Sequence, residues 1–224
     1  IHDKNAEVFG LIIDIHHHFA PKVYLDFTKR HGMAIKTYHT QFKTPWGVSR
    51  DLQDMDKAGT LAGMLSITAP GFGIGKLGVA EVRTIIRQCN EAALGYTRDY
   101  PRRFGSLAAI PPPDTEGSLL ELTYALDTLK ADGVTVFSNY QNRWLGDASY
   151  YPVYEELNRR KAVVFVHPTA GDCCAHLVPD VNDNIIEFAA DTTRTIASLL
   201  YTGATVRYPD VRWVFSHGGG AVPL

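Results

Sequence analysis

At 224 residues and 45% hydrophobic composition, the chain is long enough for one large domain or two small ones, with a sizeable core. A formal net charge of −2 gives no basic field for nucleic acid or an anionic membrane, and no run of like charges marks a disordered tail. No apolar stretch approaches the roughly 18 residues that cross a bilayer, and the N-terminus has no apolar run leading to a small-residue cleavage site. These features predict a soluble, cytoplasmic protein with neither nucleic acid nor membrane as partner.

The apolar run Leu11, Ile12 and Ile13 reads as a first strand leading into Asp14, Ile15, His16, His17 and His18. Residues 19–50 form a polar and aromatic insertion with no clear period, holding Tyr24, Tyr38 and Trp46 beside Arg30, His31 and Arg50. Long loops of this kind are usually either functional or disordered, and a cover over an active site is the expectation here. A short helix follows over 51–59, with Leu52, Met55 and Ala58 on one stripe and Gly59 as its stop. Leu61 to Thr68 is the second strand. It runs into a glycine-rich stretch, Gly71 to Lys76, that fails the phosphate-loop pattern: Pro70 holds the first glycine position and Leu77 follows the lysine. A flexible loop is expected there.

Val79 to Tyr100 is a long amphipathic helix closed by Pro101, and Phe104 to Ile110 the third strand, closed by three prolines. Asp114 is placed to cap a helix carrying Leu119, Leu122, Leu126 and Leu129 on one face. The alternation continues with a strand over 134–137, a helix over 151–160, a strand over 162–166 ending at His167, a helix over 185–202 and a strand over 211–216 ending at His217. The three cysteines, Cys89 and the adjacent Cys173 and Cys174, make neither a disulfide framework nor a CxxC motif and read as reduced.

Six strands thus alternate with helices across residues 1–224, with no linker or repeat, so a single domain is expected. Continuous apolar runs such as Val163 to Val166 argue for a parallel sheet buried on both faces. A (β/α)8 TIM barrel is favoured over a doubly wound sheet because the histidines fall at the C-terminal ends of separate strands, where one mouth would gather them.

The histidines carry the chemistry. Strand alternation sends His16 and His18 to one face, roughly 7 Å apart along the chain, and His17 to the other. Two imidazoles at that spacing suit one metal ion. The alternative, a surface cluster or tag fragment, leaves the preceding strand and aspartate unexplained. His167 and His217 are each weak signals alone, but with the pair they complete three metal-binding imidazoles and a fourth histidine for acid or base work.

Five markers in order, Asp14 to His18, Met55 to Gly59, Tyr100 to Phe104, Phe165 to Pro168 and Ser216 to Gly220, resemble the amidohydrolase superfamily, in its decarboxylase branch with aminocarboxymuconate semialdehyde and 6-methylsalicylate decarboxylases. The resemblance covers nearly the whole chain. It implies metal ligands at His16, His18 and His167, His217 as the histidine that orients or deprotonates metal-bound water, and a homodimer. Arg50, Arg30 or Arg194 is available to hold a second anionic group of a substrate, set against the reading of all three as ordinary solvated charges. The resemblance also implies an aspartate ligand after an eighth strand. The sequence stops at Leu224, just after the sixth, so the expectation is a catalytic domain whose C-terminal part lies beyond it. Thr169 stands where the muconate enzymes carry tryptophan, and the match around Arg50 is offset, which turns the expected substrate towards an aromatic carboxylate. Binuclear relatives bridge two ions with a lysine at the end of the fourth strand; Val134 to Asn139 holds none, so one ion is expected.

The leading expectation is therefore a metal-dependent non-oxidative decarboxylase acting on a small aromatic or unsaturated carboxylic acid. Zinc suits a histidine-rich site, and manganese uses similar ligands when a carboxylate joins. Metal-dependent hydrolysis of an ester, lactone or amide stays open, because bound hydroxide and His217 would serve that chemistry equally. So does a non-catalytic fragment or binding subunit. A Ser-His-Asp hydrolase is disfavoured, since no GxSxG elbow occurs.

Overall fold

The computed structural model describes residues 12–33 and 46–223; Leu11 and Tyr38 lie outside them. The elements are β1 (Ile12–His18), α1 (Lys22–Arg30), α2 (Val48–Ala58), β2 (Thr60–Ser66), α3 (Val79–Asp99), β3 (Phe104–Ala109), α4 (Thr115–Thr123), β4 (Gly133–Phe137), β5 (Asn139–Tyr140), β6 (Arg143–Trp144), α5 (Tyr151–Arg159), β7 (Val163–His167), α6 (Asp183–Tyr201), α7 (Ala204–Arg207) and β8 (Arg212–Phe215). Local chemistry sets several boundaries. Gly59 ends α2 at φ 69°, a left-handed position that costs glycine little. The Asp114 carboxylate accepts from Gly117 N at the start of α4, as a capping residue should.

Six strands pair in the order β1-β2-β3-β4-β7-β8, every pair parallel, and β5 and β6 form a separate two-stranded hairpin. In a flat sheet β1 and β8 would stand about 24 Å apart, five spacings of about 4.8 Å. Yet the His16 ring on β1 is 4.9 Å from the His217 ring just past β8, and 5.4 Å from Phe165 on β7. The sheet is curled into part of a TIM barrel, and the doubly wound alternative is excluded. Among the described residues β1 and β8 each pair on one side only, and Ile13 is 63% exposed.

Helices pack on the outer surface of the sheet through two apolar clusters. One joins Val134, Val136, Val164 and Val166 to Tyr154, Leu157 and Leu199; the other joins Leu65 and Phe104 to Tyr24, Phe27, Ile86 and Cys89. The central strands β3, β4 and β7 are mostly buried and largely apolar, as a parallel sheet covered by helices requires.

Two expectations are corrected. The segment after β1 begins with a regular helix, α1, whose Tyr24, Phe27 and Thr28 recur at i, i+3 and i+4 and are buried. At the start of the glycine-rich stretch, the Tyr24 hydroxyl shares its proton between the carbonyls of Thr68 (3.0 Å) and Gly71 (3.1 Å). Cys173 and Cys174 are paired as a vicinal disulfide in a turn closed by Cys174 N and Ala175 N on the Gly171 carbonyl; Cys89 is free and buried.

Candidate metal centre

Four imidazoles meet at the C-terminal end of the sheet. His16 and His18 leave one face of β1 and their Nε2 atoms lie 2.9 Å apart. The His167 ring, at the end of β7, is 5.1 Å from His16 and 4.8 Å from His18. The His217 ring is 4.9 Å from His16 and 5.6 Å from His167. Among the described residues, His16, His167 and His217 offer ligand atoms that all lie within 4.8 Å of one another. Nitrogens sharing one ion at about 2.0–2.1 Å stand about 3–4 Å apart, so the cluster fits a single divalent metal with little closure.

His17 faces away, as alternation requires. Its Nδ1 is 3.2 Å from Asp14 and its Nε2 2.9 Å from Asp51 of α2. Asp14 also accepts from His16 N at 3.0 Å, which steadies the strand between the two facing histidines.

The electrostatics favour neutral rings in the cluster. Burial, aided by His217, lowers His16 to about 4, against the pull of Asp14. Burial and then His16 take His18 to about 3. His167 is held well below the ordinary histidine range by burial and by its two neighbours, and burial lowers His217 as well. A neutral imidazole is the form that binds a metal, so these groups need lose no proton at neutral pH to do so. His17 shifts the other way: burial opposes its charge, but the hydrogen bonds and charges of Asp51 and Asp14 together outweigh it.

His167 is also held from behind. Its Nδ1 donates to the Pro168 carbonyl at 2.8 Å, leaving Nε2 as the acceptor atom. His217 stands on a looser support. It is exposed, sits at φ 50° in a short turn ahead of three glycines, and stacks on Phe188 of α6 at 5.6 Å.

A cavity of about 340 Å³ is lined by Met33, Phe72, Ile74, Leu77, Phe137 and Tyr140 together with the polar His31, Asn139, Gln141 and Thr169. None of the four clustered histidines lines it; the Phe137 ring of its wall is 6.2 Å from His167. Lys76 and Asp172 line it as well and pair across it at 3.6 Å. Arg50 lies on the exposed part of α2, its Nε 3.6 Å from Asp54. Arg30 approaches Glu81 at 3.8 Å, and Arg194 bonds Glu187 at 2.9 Å.

Residues 13–223 match the amidohydrolase family. The chain belongs to that family. This amidohydrolase is 38% identical over 221 residues to the decarboxylase yanB of Aspergillus niger, spanning 95% of itself and 59% of the relative. To the 6-methylsalicylic acid decarboxylase of Penicillium expansum it is 33% identical over 214 residues, spanning 94% of itself and 65% of the relative. It therefore spans about three fifths of the length of these relatives. Its fold matches a 5-carboxyvanillate decarboxylase of Novosphingobium aromaticivorans, crystallised with manganese and 4-hydroxy-3-methoxy-5-nitrobenzoic acid, at a TM-score of 0.85 and 22% identity, covering 96% of this chain and 68% of that one.

Two residues close to the centre escaped the sequence reading. Phe188 touches both His167 (5.7 Å) and His217. Asp191, one turn further along α6, is fully buried and accepts from Ser138 Oγ, from Asn139 Nδ2 at 2.8 Å and from Trp144 Nε1 at 2.8 Å, with Arg194 Nη1 at 3.6 Å. The available signal was polar residues, Asp191, Thr192 and Thr195, on a helix stripe that also carries Phe188, Ile196 and Leu199.

Proposed function

We propose that this amidohydrolase is one barrel domain of a metal-dependent, non-oxidative decarboxylase that acts on a small aromatic carboxylic acid. The observation that carries the reading is the convergence of His16, His18, His167 and His217, with Phe137, a wall residue of the neighbouring cavity, 6.2 Å from His167. The decarboxylase relatives, one of them acting on 6-methylsalicylic acid, support a carboxylate as the reacting group.

His16, His18 and His167 are the ligands in this reading, because each is fixed by a strand and each presents a low-pKa ring. His217 also has a nitrogen within range. Its position at φ 50° in a glycine-rich turn favours a group that moves a proton over one locked to an ion. Zinc fits three imidazoles; a carboxylate ligand from elsewhere in the protein would favour manganese, the ion in the carboxyvanillate enzyme. Held by His16, His18 and His167, a divalent ion would supply positive charge against the negative charge that builds as carbon dioxide leaves.

The chain's own groups do the rest. Phe72, Phe137 and Tyr140 hold the ring of the acid and exclude water from its face. His217 delivers a proton from a ring nitrogen to the carbon that loses carbon dioxide. One carbon–carbon bond breaks, one carbon–hydrogen bond forms, and no oxidant is needed.

The test is product analysis with the full-length protein loaded with zinc or manganese. A salicylate-type acid should release carbon dioxide in step with the decarboxylated arene. Turnover of an ester or lactone panel with no carbon dioxide from any aromatic acid would overturn the reading in favour of hydrolysis.

A further inference from the structure

Asp191 has no part in the chemistry above, yet it is a completely buried carboxylate with three hydrogen-bond donors and a nearby arginine. An acid in that setting is retained for what it holds in place. Its three hydrogen-bond donors all belong to the segment that follows β4. Ser138 donates its hydroxyl to Asp191, so its oxygen lone pairs face elsewhere, and Thr169 N–H donates to one of them at 3.0 Å. Asn139 bridges in parallel, one amide nitrogen donating both to Asp191 and to the Thr169 carbonyl at 3.0 Å. Ser138 N also donates to the His167 carbonyl at 2.9 Å.

The Thr169 N–H and the Pro168 carbonyl belong to one peptide plane, so fixing the first fixes the second. That carbonyl accepts from His167 Nδ1 at 2.8 Å. A carbonyl only accepts, so Nδ1 carries the proton and Nε2 presents a lone pair. The path from Asp191 to the cluster is thus three hydrogen bonds and one rigid peptide long.

We propose that Asp191 is a positioning residue for His167: through Ser138 and the Pro168–Thr169 peptide it fixes the tautomer and ring direction that aim His167 Nε2 at the histidine cluster. The proposal rests on reading His167 as a metal ligand. Partners that orient a ligand histidine typically change metal affinity about 10–100-fold when removed. An amide at 191 would set a donor against Asn139 Nδ2 or against Trp144 Nε1, disrupting the chain at its origin.

The experiment uses the full-length protein as wild type, Asp191→Asn and Ser138→Ala, with two readouts. The first is titration with zinc and with manganese alone. The second is the nitrogen spectrum of 15N-labelled histidine in the metal-free protein. The expected result is a loss of affinity of about 10–100-fold in both variants, with His167 Nε2 changing from unprotonated to a mixture of tautomers. Ser138→Ala leaves the Trp144 and Asn139 bonds to Asp191 in place, so it reads the path even if Asp191→Asn fails to fold. A lowered melting temperature with wild-type affinity and an unchanged His167 spectrum would make Asp191 a core residue only and overturn the proposal. Should wild type bind neither ion, the metal reading fails separately, while the nitrogen spectrum still decides what Asp191 does to His167.

Discussion

His17 Nε2 lies 2.9 Å from the Asp51 carboxylate, joining β1 to α2 on the face opposite His16 and His18. Both side chains are mostly shielded, at 11% and 16% exposure. Asp51→Ala should therefore lower stability by about 1–3 kcal/mol, the range for losing a hydrogen bond to a charged group. The raised folded-state pKa of His17 sets the sign of the pH dependence: the pair's contribution is complete below about 6.5 and fades as pH rises through the folded value. Denaturant unfolding at pH 6 and pH 9 checks this, with the larger gap between wild type and variant expected at pH 6.

The cluster histidines behave in the opposite sense. Between the unfolded value near 6.5 and folded values of about 4 for His16 and about 3 for His18, the unfolded chain binds more protons than the folded one. Stability of the metal-free protein should accordingly fall as pH drops from 6.5 towards 4. A double variant, His16→Gln with His18→Gln, should show a shallower fall in melting temperature over that window. An identical slope would mean that ordinary carboxylates account for the acid sensitivity.

Gly71 sits at φ 73°, and a Cβ there would stand 2.5 Å from Cε2 of Phe137. Phe137 forms part of the cavity wall and faces His167, so Gly71→Ala presses the wall towards the centre. Overpacking of this kind costs about 1–3 kcal/mol. Alongside lower stability, KM for aromatic acids should rise more than kcat falls, as steady-state kinetics of the full-length protein would show.

The alternation of strands and helices was legible because each parallel strand is a short apolar run and each long helix carries one apolar stripe. The histidine pair was legible for a simpler reason: period-two alternation puts His16 and His18 together whatever their surroundings. Helix α1 escaped because its charged residues, Lys22, Asp26, Lys29 and Arg30, dilute the Tyr24 and Phe27 stripe. The hairpin of β5 and β6 is only two residues deep on each side, too short to leave a period. Asp191 was invisible for a different reason: an acid on an amphipathic helix reads as a solvent-facing residue until the partners brought by β4 and the hairpin are known.

His217→Ala separates a proton carrier from a ligand. Metal content should stay near the wild-type level while turnover falls by roughly a hundredfold or more, the scale of lost acid–base assistance. Parallel loss of metal and activity would move His217 into the ligand set beside His16 and His167, an arrangement whose nitrogens are also within range.

The central claim is that one divalent ion is held by His16, His18 and His167. Elemental analysis of the full-length protein, as wild type and with His16→Ala, His18→Ala or His167→Ala, tests it most directly. The account predicts one zinc or manganese per wild-type chain and its loss in each variant, with circular dichroism unchanged. Two ions per chain, or wild-type metal content in any of the three variants, would contradict it.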